Sequence, residues 1–220
     1  MLFAGSFQES LSKLIMIDGF GPYTSTADKA PTDLRKAILS EEKLAAEKVA
    51  PRNRMYPTLG EAISARVRIV ATYPGGQSIS KQAAEAIVRR GACLQNGSED
   101  ESTQRWQSLA GFDTTTGGLI VPESAGPVSF RYDSRLLLPS ATYLTKDQAD
   151  SFAAQITCPV LLVQATSGWP VKNEEYADRK RILEEKNLLD HRLVEGSHHL
   201  HIDPETAPQV ADIISNFVGK

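Results

Sequence analysis

The sequence predicts an α/β fold with few parallel strands and a helical block inserted after the first of them. Three observations carry this. Residues 13–17, apolar after Lys13, and 158–163 are short runs suited to strands buried on both faces. From residue 158 onward the chain alternates strand, helix, strand, helix, the order that makes neighbouring strands parallel. Between the two runs lies a stretch dominated by helical patterning, about residues 25–157.

Taken in order, residues 1–12 read as the end of a helix or a turn. The first apolar run stops at Asp18-Gly19-Phe20-Gly21-Pro22, a cluster of chain breakers that places Asp18 at a strand's carboxyl end. A carboxylate there either caps its own loop or serves a site, because ligands of α/β proteins sit beyond the carboxyl ends of strands. Residues 32–49 are rich in Ala, Leu, Lys and Glu, with Leu34, Ile38, Leu39 and Leu44 in helical register, and predict a solvated amphipathic helix.

Tyr56-Pro57-Thr58 breaks the chain, and Thr58 with Glu61 at capping-box spacing opens a helix through Ala62, Ile63 and Ala65. Residues 73–80 form a turn, and Ser80 caps a helix over 81–90 with Ala83, Ala84, Ile87 and Val88 on its apolar face and Gly91 at its stop. Gly75-Gly76 lacks the lysine and the glycine spacing of a phosphate loop, so it reads as part of a plain turn. Residues 95–127, around Trp106, have loop-forming composition and predict a long, partly mobile insertion.

Regular patterning resumes at Ser129, and Thr145 opens a helix over 146–156. The clearest buried strand follows at 158–163, then a charged helix over 174–186 and a β-prone run from His191 to Val194. Beyond Gly196, three of the four histidines fall together: His198, His199 and His201. Asp203 and Pro204 read as the cap and first residue of a final helix, whose Val210, Ile213, Ile214 and Phe217 recur at core-facing spacing.

A net charge of −3 offers no broad basic field, which argues against a nucleic-acid partner. No apolar run approaches membrane-spanning length, and no secretory signal pattern is visible. The two cysteines, Cys93 and Cys158, form neither a disulfide framework nor a paired metal spacing, which fits a cytoplasmic protein. The His-His-x-His run offers nitrogen ligands, but no cysteine or second cluster completes a tetrahedral set, so neither a metal nor a cofactor is expected. Tyr23, Trp106, Tyr132 and Trp169 either line a pocket or fill a core. The substrate and the oligomeric state are not legible.

Several stretches resemble one family. Tyr56-Pro-Thr-Leu-Gly-Glu-Ala-Ile-Ser-Ala-Arg66 and Ile79-Ser-Lys-Gln-Ala-Ala-Glu-Ala-Ile-Val-Arg-Arg-Gly91 resemble the cap of the serine hydrolase-like proteins, within the α/β-hydrolase superfamily. Phe130-Arg-Tyr-Asp-Ser-Arg-Leu136 and residues 144–162 share that likeness, and residues 7–19 resemble the segment after the family's nucleophile helix. The likeness spans nearly the whole chain outside residues 95–127.

The resemblance implies the C-terminal part of an α/β-hydrolase fold. Residues 1–24 and 158–220 would form a partial core, and residues 25–157 a helical cap carrying the insertion. It also implies hydrolysis of a small-molecule ester or acyl substrate by a Ser-His-acid triad. In that chemistry a serine sits on a sharp strand-to-helix turn, a histidine takes its proton, and a carboxylate holds the imidazole's tautomer. His198 matches the family's catalytic histidine, the first after Gly196-Ser197; the roles of His199 and His201 are not fixed by the pattern.

Two departures follow. No Gly-x-Ser-x-Gly occurs in these 220 residues, and in the family that elbow lies before the segment that begins here at Met1. The chain is therefore expected to be N-terminally truncated relative to the family and inactive alone, because the histidine has no serine to activate. The alternative is a non-catalytic pseudo-hydrolase that binds a ligand or a partner. The second departure concerns the acid. The slot that many α/β-hydrolases use falls at Gly168, which cannot serve, and Glu174 and Glu175 lie farther on in a helix. Asp18 is the better-placed carboxylate.

Overall fold

The computed structural model describes residues 1–46, 55–94, 111–113, 118–120, 127–130, 134–169 and 174–219, with backbone alone for 93, 94, 111–113, 118–120 and 134. In chain order the elements are α1 (Leu2–Ser6), β1 (Leu14–Ile17), α2 (Ala30–Ala46), α3 (Leu59–Ala71), α4 (Lys81–Gly91), β2 (Ala92–Leu94), β3 (Gly111–Asp113) and β4 (Gly118–Ile120). Then come β5 (Val128–Phe130), α5 (Lys146–Gln155), β6 (Val160–Ser167), α6 (Glu174–Glu185), β7 (Leu189–Ser197) and α7 (Ala207–Val218). They fall into two units, one of Met1–Arg35, Tyr73–Ser78 and Ser140–Lys220, the other of Lys36–Thr72 and Ile79–Pro139.

The first unit is built on a three-stranded parallel sheet in the order β1-β6-β7. Its centre, β6, is the apolar run that reads as a doubly buried strand, and alternation of side chains along it explains why both faces are covered. Val160 and Leu162 enter one core with Met16, Phe20, Ile156 and Leu183. Leu161, Val163 and Ala165 enter the other with Val194, Leu200, Val210 and Phe217. Each such leucine, valine or phenylalanine contributes roughly 1.5–3 kcal/mol on leaving water, which is what pins the sheet's register.

Helix α5 starts at a full capping box between Thr145 and Gln148. Helix α1 packs against it closely enough that a Cβ on Gly5 would lie 2.3 Å from the Phe152 carbonyl oxygen.

Helix α7 begins later than the Asp203-Pro204 signal implies. Thr206 precedes it and a proline occupies its first turn. The reason lies in the preceding turns: Leu200 is 1% exposed, and Thr206 Oγ1 donates to the Leu200 carbonyl at 2.6 Å. Burying Leu200 tethers the intervening residues in turns before regular helix can start.

In the second unit, Thr58 Oγ1 accepts from Glu61 N at 3.1 Å to open α3, and Ser80 Oγ accepts from Ala83 N at 3.1 Å to open α4. Strand β2 pairs with β5 and β3 with β4, both antiparallel. The β3–β4 pair lies inside the stretch that reads as a long loop; two short runs four residues apart have the spacing of a hairpin. Residues 95–110, 114–117 and 121–126 of that stretch, Trp106 included, lie outside the described residues, as does Tyr132.

Along α2, Ala37 is buried whereas Leu34, Ile38 and Leu39 are exposed. Its small residue, and not its leucine register, is the one the described residues cover. Among those residues no helix is long and apolar enough to cross a membrane.

Candidate functional site

At the end of β1, Asp18 N donates to Val163 O at 2.7 Å, the last rung of the β1–β6 ladder. The chain then turns through φ 46° at Asp18, a left-handed conformation that aspartate tolerates better than most residues. That turn sends the carboxylate across the end of β6, away from its own loop. Oδ1 accepts from Ala165 N at 2.9 Å and Oδ2 from Trp169 N at 3.1 Å. Asp18 is 1% exposed, so these donors compensate the burial of a charge-bearing group.

The third partner is His198, whose Nδ1 lies 2.7 Å from Asp18 Oδ2. A carboxylate oxygen accepts, so Nδ1 donates and Nε2 is the nitrogen left to take up a proton. Nε2 has no hydrogen-bond partner among the described residues, and the His198 side chain is 34% exposed. The ring is flanked by Trp169, 6.2 Å away between centroids, and Trp169 in turn meets the edge of Tyr73 at 5.5 Å.

The two sequence-singled residues, far apart in the chain, are thus brought together. Gly168, the slot where an acid fails to appear, faces the Asp18 carboxylate directly. Glu175 is turned elsewhere, toward the Thr24 hydroxyl and Arg179 Nη2. His199 is buried and its ring lies 5.3 Å from that of His198, while His201 is exposed with its ring 6.5 Å from that of His199. No group of three or more His, Cys, Asp or Glu among the described residues is arranged to hold a metal ion.

Sequence reasoning passed over Gln77. Its side chain is buried and bonded both to the His198 backbone and to the end of β6. No motif marks a glutamine in a glycine-rich turn, so only the fold reveals it.

This geometry sits on the architecture of the α/β-hydrolases. No protein-family model matches the chain, and no curated protein does either. Among solved structures, hypothetical protein PA1622 from Pseudomonas aeruginosa PAO1 is 32% identical over the whole chain with a TM-score of 0.72. The chain spans 63% of that protein's length. The thioesterase domain from the curacin biosynthetic pathway matches 97% of the chain and 61% of its own, at 16% identity and a TM-score of 0.60. E-2-(acetamidomethylene)succinate hydrolase matches all of the chain and 62% of its own, at 16% identity and a TM-score of 0.55. The last two share the fold.

Proposed function

We propose that these residues carry the histidine–carboxylate half of a Ser-His-acid hydrolase of the serine hydrolase-like kind, acting on a small ester or acyl substrate. The observation behind this reading is the 2.7 Å contact between His198 Nδ1 and Asp18 Oδ2, with Asp18 itself held by two backbone amides. His198 Nε2 then takes the proton of a serine hydroxyl as its oxygen attacks the substrate carbonyl, and returns it to the leaving group. Asp18 holds the tautomer and stabilises the imidazolium that forms.

A Gly-x-Ser-x-Gly elbow is not among the 220 residues, so in this reading it belongs to a segment upstream and the 220-residue chain alone is inactive. In this reading residues 25–157 are the family's cap and residues 1–24 and 158–220 belong to its core, and the protein works in the cytoplasm. The fold shared with a thioesterase domain and a hydrolase, and the likeness to PA1622, support the assignment.

A fluorophosphonate probe tests it. The 220-residue chain is expected to stay unlabelled; a polypeptide extended upstream with an elbow-bearing segment is expected to be labelled and to hydrolyse a simple ester. Labelling of the shorter chain contradicts the predicted inactivity. Undiminished turnover in the extended His198→Ala variant contradicts the role of the histidine. Ligand binding without turnover in the extended polypeptide favours the non-catalytic pseudo-hydrolase.

A further inference from the structure

Strands β6 and β7 stay in step from Val160↔Leu189 to Ala165↔Val194 and then slip, the next pair being Ser167↔Ser197. Between those pairs β7 has Glu195 and Gly196 where β6 has only Thr166, so the ladder loses step and backbone amides need other partners. Gly196 takes φ 141°, a conformation that favours glycine. Side chains then stand in for the missing rungs. Gly196 N donates to Thr166 Oγ1 at 3.2 Å, and His198 N donates to Gln77 Oε1 at 2.9 Å.

The other end of the Gln77 amide faces β6. Nε2 donates to Ser167 O at 2.7 Å and to Pro74 O at 3.2 Å. One side chain thus accepts from the histidine loop and donates to the strand end, as a peptide group would in a continuous ladder. Gln77 is 2% exposed, so each of these bonds is made away from water, where an unpaired polar group is costly. The same turn adds a second tie, since the Ser197 hydroxyl donates to Ser78 O.

Both members of the site are therefore referenced to one short stretch of chain, residues 165–169. Asp18 is held by Ala165 N and Trp169 N, and the His198 backbone is held through Gln77 to Ser167 O. From this we propose that Gln77 is a positioning residue, one that sets where the His198 imidazole meets Asp18. The proposal rests on His198 being the base. In that chemistry a misplacement of about 1 Å costs on the order of a hundredfold in rate, so a fixed histidine backbone has a purpose. Glutamine is required because it combines donor and acceptor at one reach: glutamate lacks the donors, and methionine lacks both.

The test uses the 220-residue chain in solution. Gln77→Met keeps the volume and removes the amide. It is expected to fold, as judged by circular dichroism, yet its His198 backbone N–H should exchange with deuterium about tenfold faster or more. The low-field Nδ1 proton of His198 should broaden, while the Leu200 amide, bonded to Ser197 O, keeps its rate. A folded Gln77→Met chain with unchanged His198 amide exchange and an unchanged ring signal overturns the proposal. Gln77→Glu decides the matter if the methionine variant does not fold: the tie to Ser167 is gone, so the same losses are expected in smaller measure, and wild-type behaviour overturns the idea. The reading of His198 as the base answers to a different signal. A wild-type chain with no low-field Nδ1 proton contradicts the His198–Asp18 pair, whereas His198 amide exchange still decides the role of Gln77.

Discussion

A Cβ on Gly168 would lie 2.0 Å from Asp18 Oδ1 and 2.4 Å from Oδ2, so the two residues compete for one space. The space in front of Gly168, near the end of β6, is filled by a carboxylate arriving from the neighbouring strand. The glycine and the aspartate are therefore a coupled choice: Asp18 reaches His198 because residue 168 has no side chain.

Gly168→Ala follows directly. The methyl group has to push the Asp18 carboxylate or the β6 end aside, an overpacking cost of about 1–3 kcal/mol. Urea denaturation is expected to show that loss, and the low-field Nδ1 proton of His198 to disappear. Retention of both signals would mean that the carboxylate does not occupy the space in front of Gly168.

Asp18→Asn keeps the size but offers an NH₂ group to a site furnished with donors, Ala165 N and Trp169 N. At least one buried donor then loses its acceptor, costing about 1–3 kcal/mol of stability. In an elbow-extended polypeptide the same change is expected to lower turnover by on the order of 10⁴-fold through loss of the correct tautomer. Thermal unfolding and ester hydrolysis measure the two effects separately.

Arg179 sets the loop that follows Asp18. Its side chain is fully buried; Nη1 donates to the carbonyls of Phe20 at 3.2 Å and Pro22 at 3.0 Å, and Nε donates to Asp150 Oδ1 at 3.2 Å. Arg179→Met leaves the Phe20 and Pro22 carbonyls without this donor, whereas Asp150 keeps Lys146, and it is expected to cost about 1–3 kcal/mol. Arg179→Lys keeps the charge but not the fork, so its urea midpoint should fall between the two.

Stability should depend on pH through His191. Nδ1 of that residue contacts Lys180 Nζ at 3.2 Å and Nε2 contacts Gln164 Oε1 at 3.0 Å. Burial, then the Lys180 charge, hold its pKa below the ordinary 6.5, against weaker upward pulls from Glu184 and Asp190. As pH falls, the unfolded chain takes the proton first, so the contribution of His191 is complete above about pH 6.5 and shrinks below it. Urea midpoints at pH 5 and 7.5 should differ more for the wild type than for His191→Gln, and an equal pH difference in both would contradict this account.

The helix caps provide a local test in the other unit. Thr58→Ala and Ser80→Ala each remove the acceptor for one amide at a helix start, with an expected loss of about 0.5–2 kcal/mol apiece in thermal unfolding.

What was legible in the sequence is what acts over a few residues. The β6 run, the Thr58, Ser80 and Thr145 caps and the Val210-to-Phe217 stripe reflect an unbroken apolar segment, capping within one turn and a period of 3.6, so they can be read from neighbouring letters. Even there tertiary burial overrode a local signal, since Leu200 moved the start of α7 past Asp203 and Pro204. The histidine stands out by its place after a strand and by resemblance, whereas local sequence leaves Asp18 between a loop cap and a site residue.

Only the tertiary structure decided that Asp18 meets His198 across 180 positions of chain, that Gly168 leaves room for it, and that Gln77 ties the loop down. Those relations depend on strand order β1-β6-β7 and on a slip in the β6–β7 ladder. They are contacts between residues far apart along the chain. Their energy comes from burial and hydrogen bonding at one place in space, and local sequence carries no mark of which residues will arrive there.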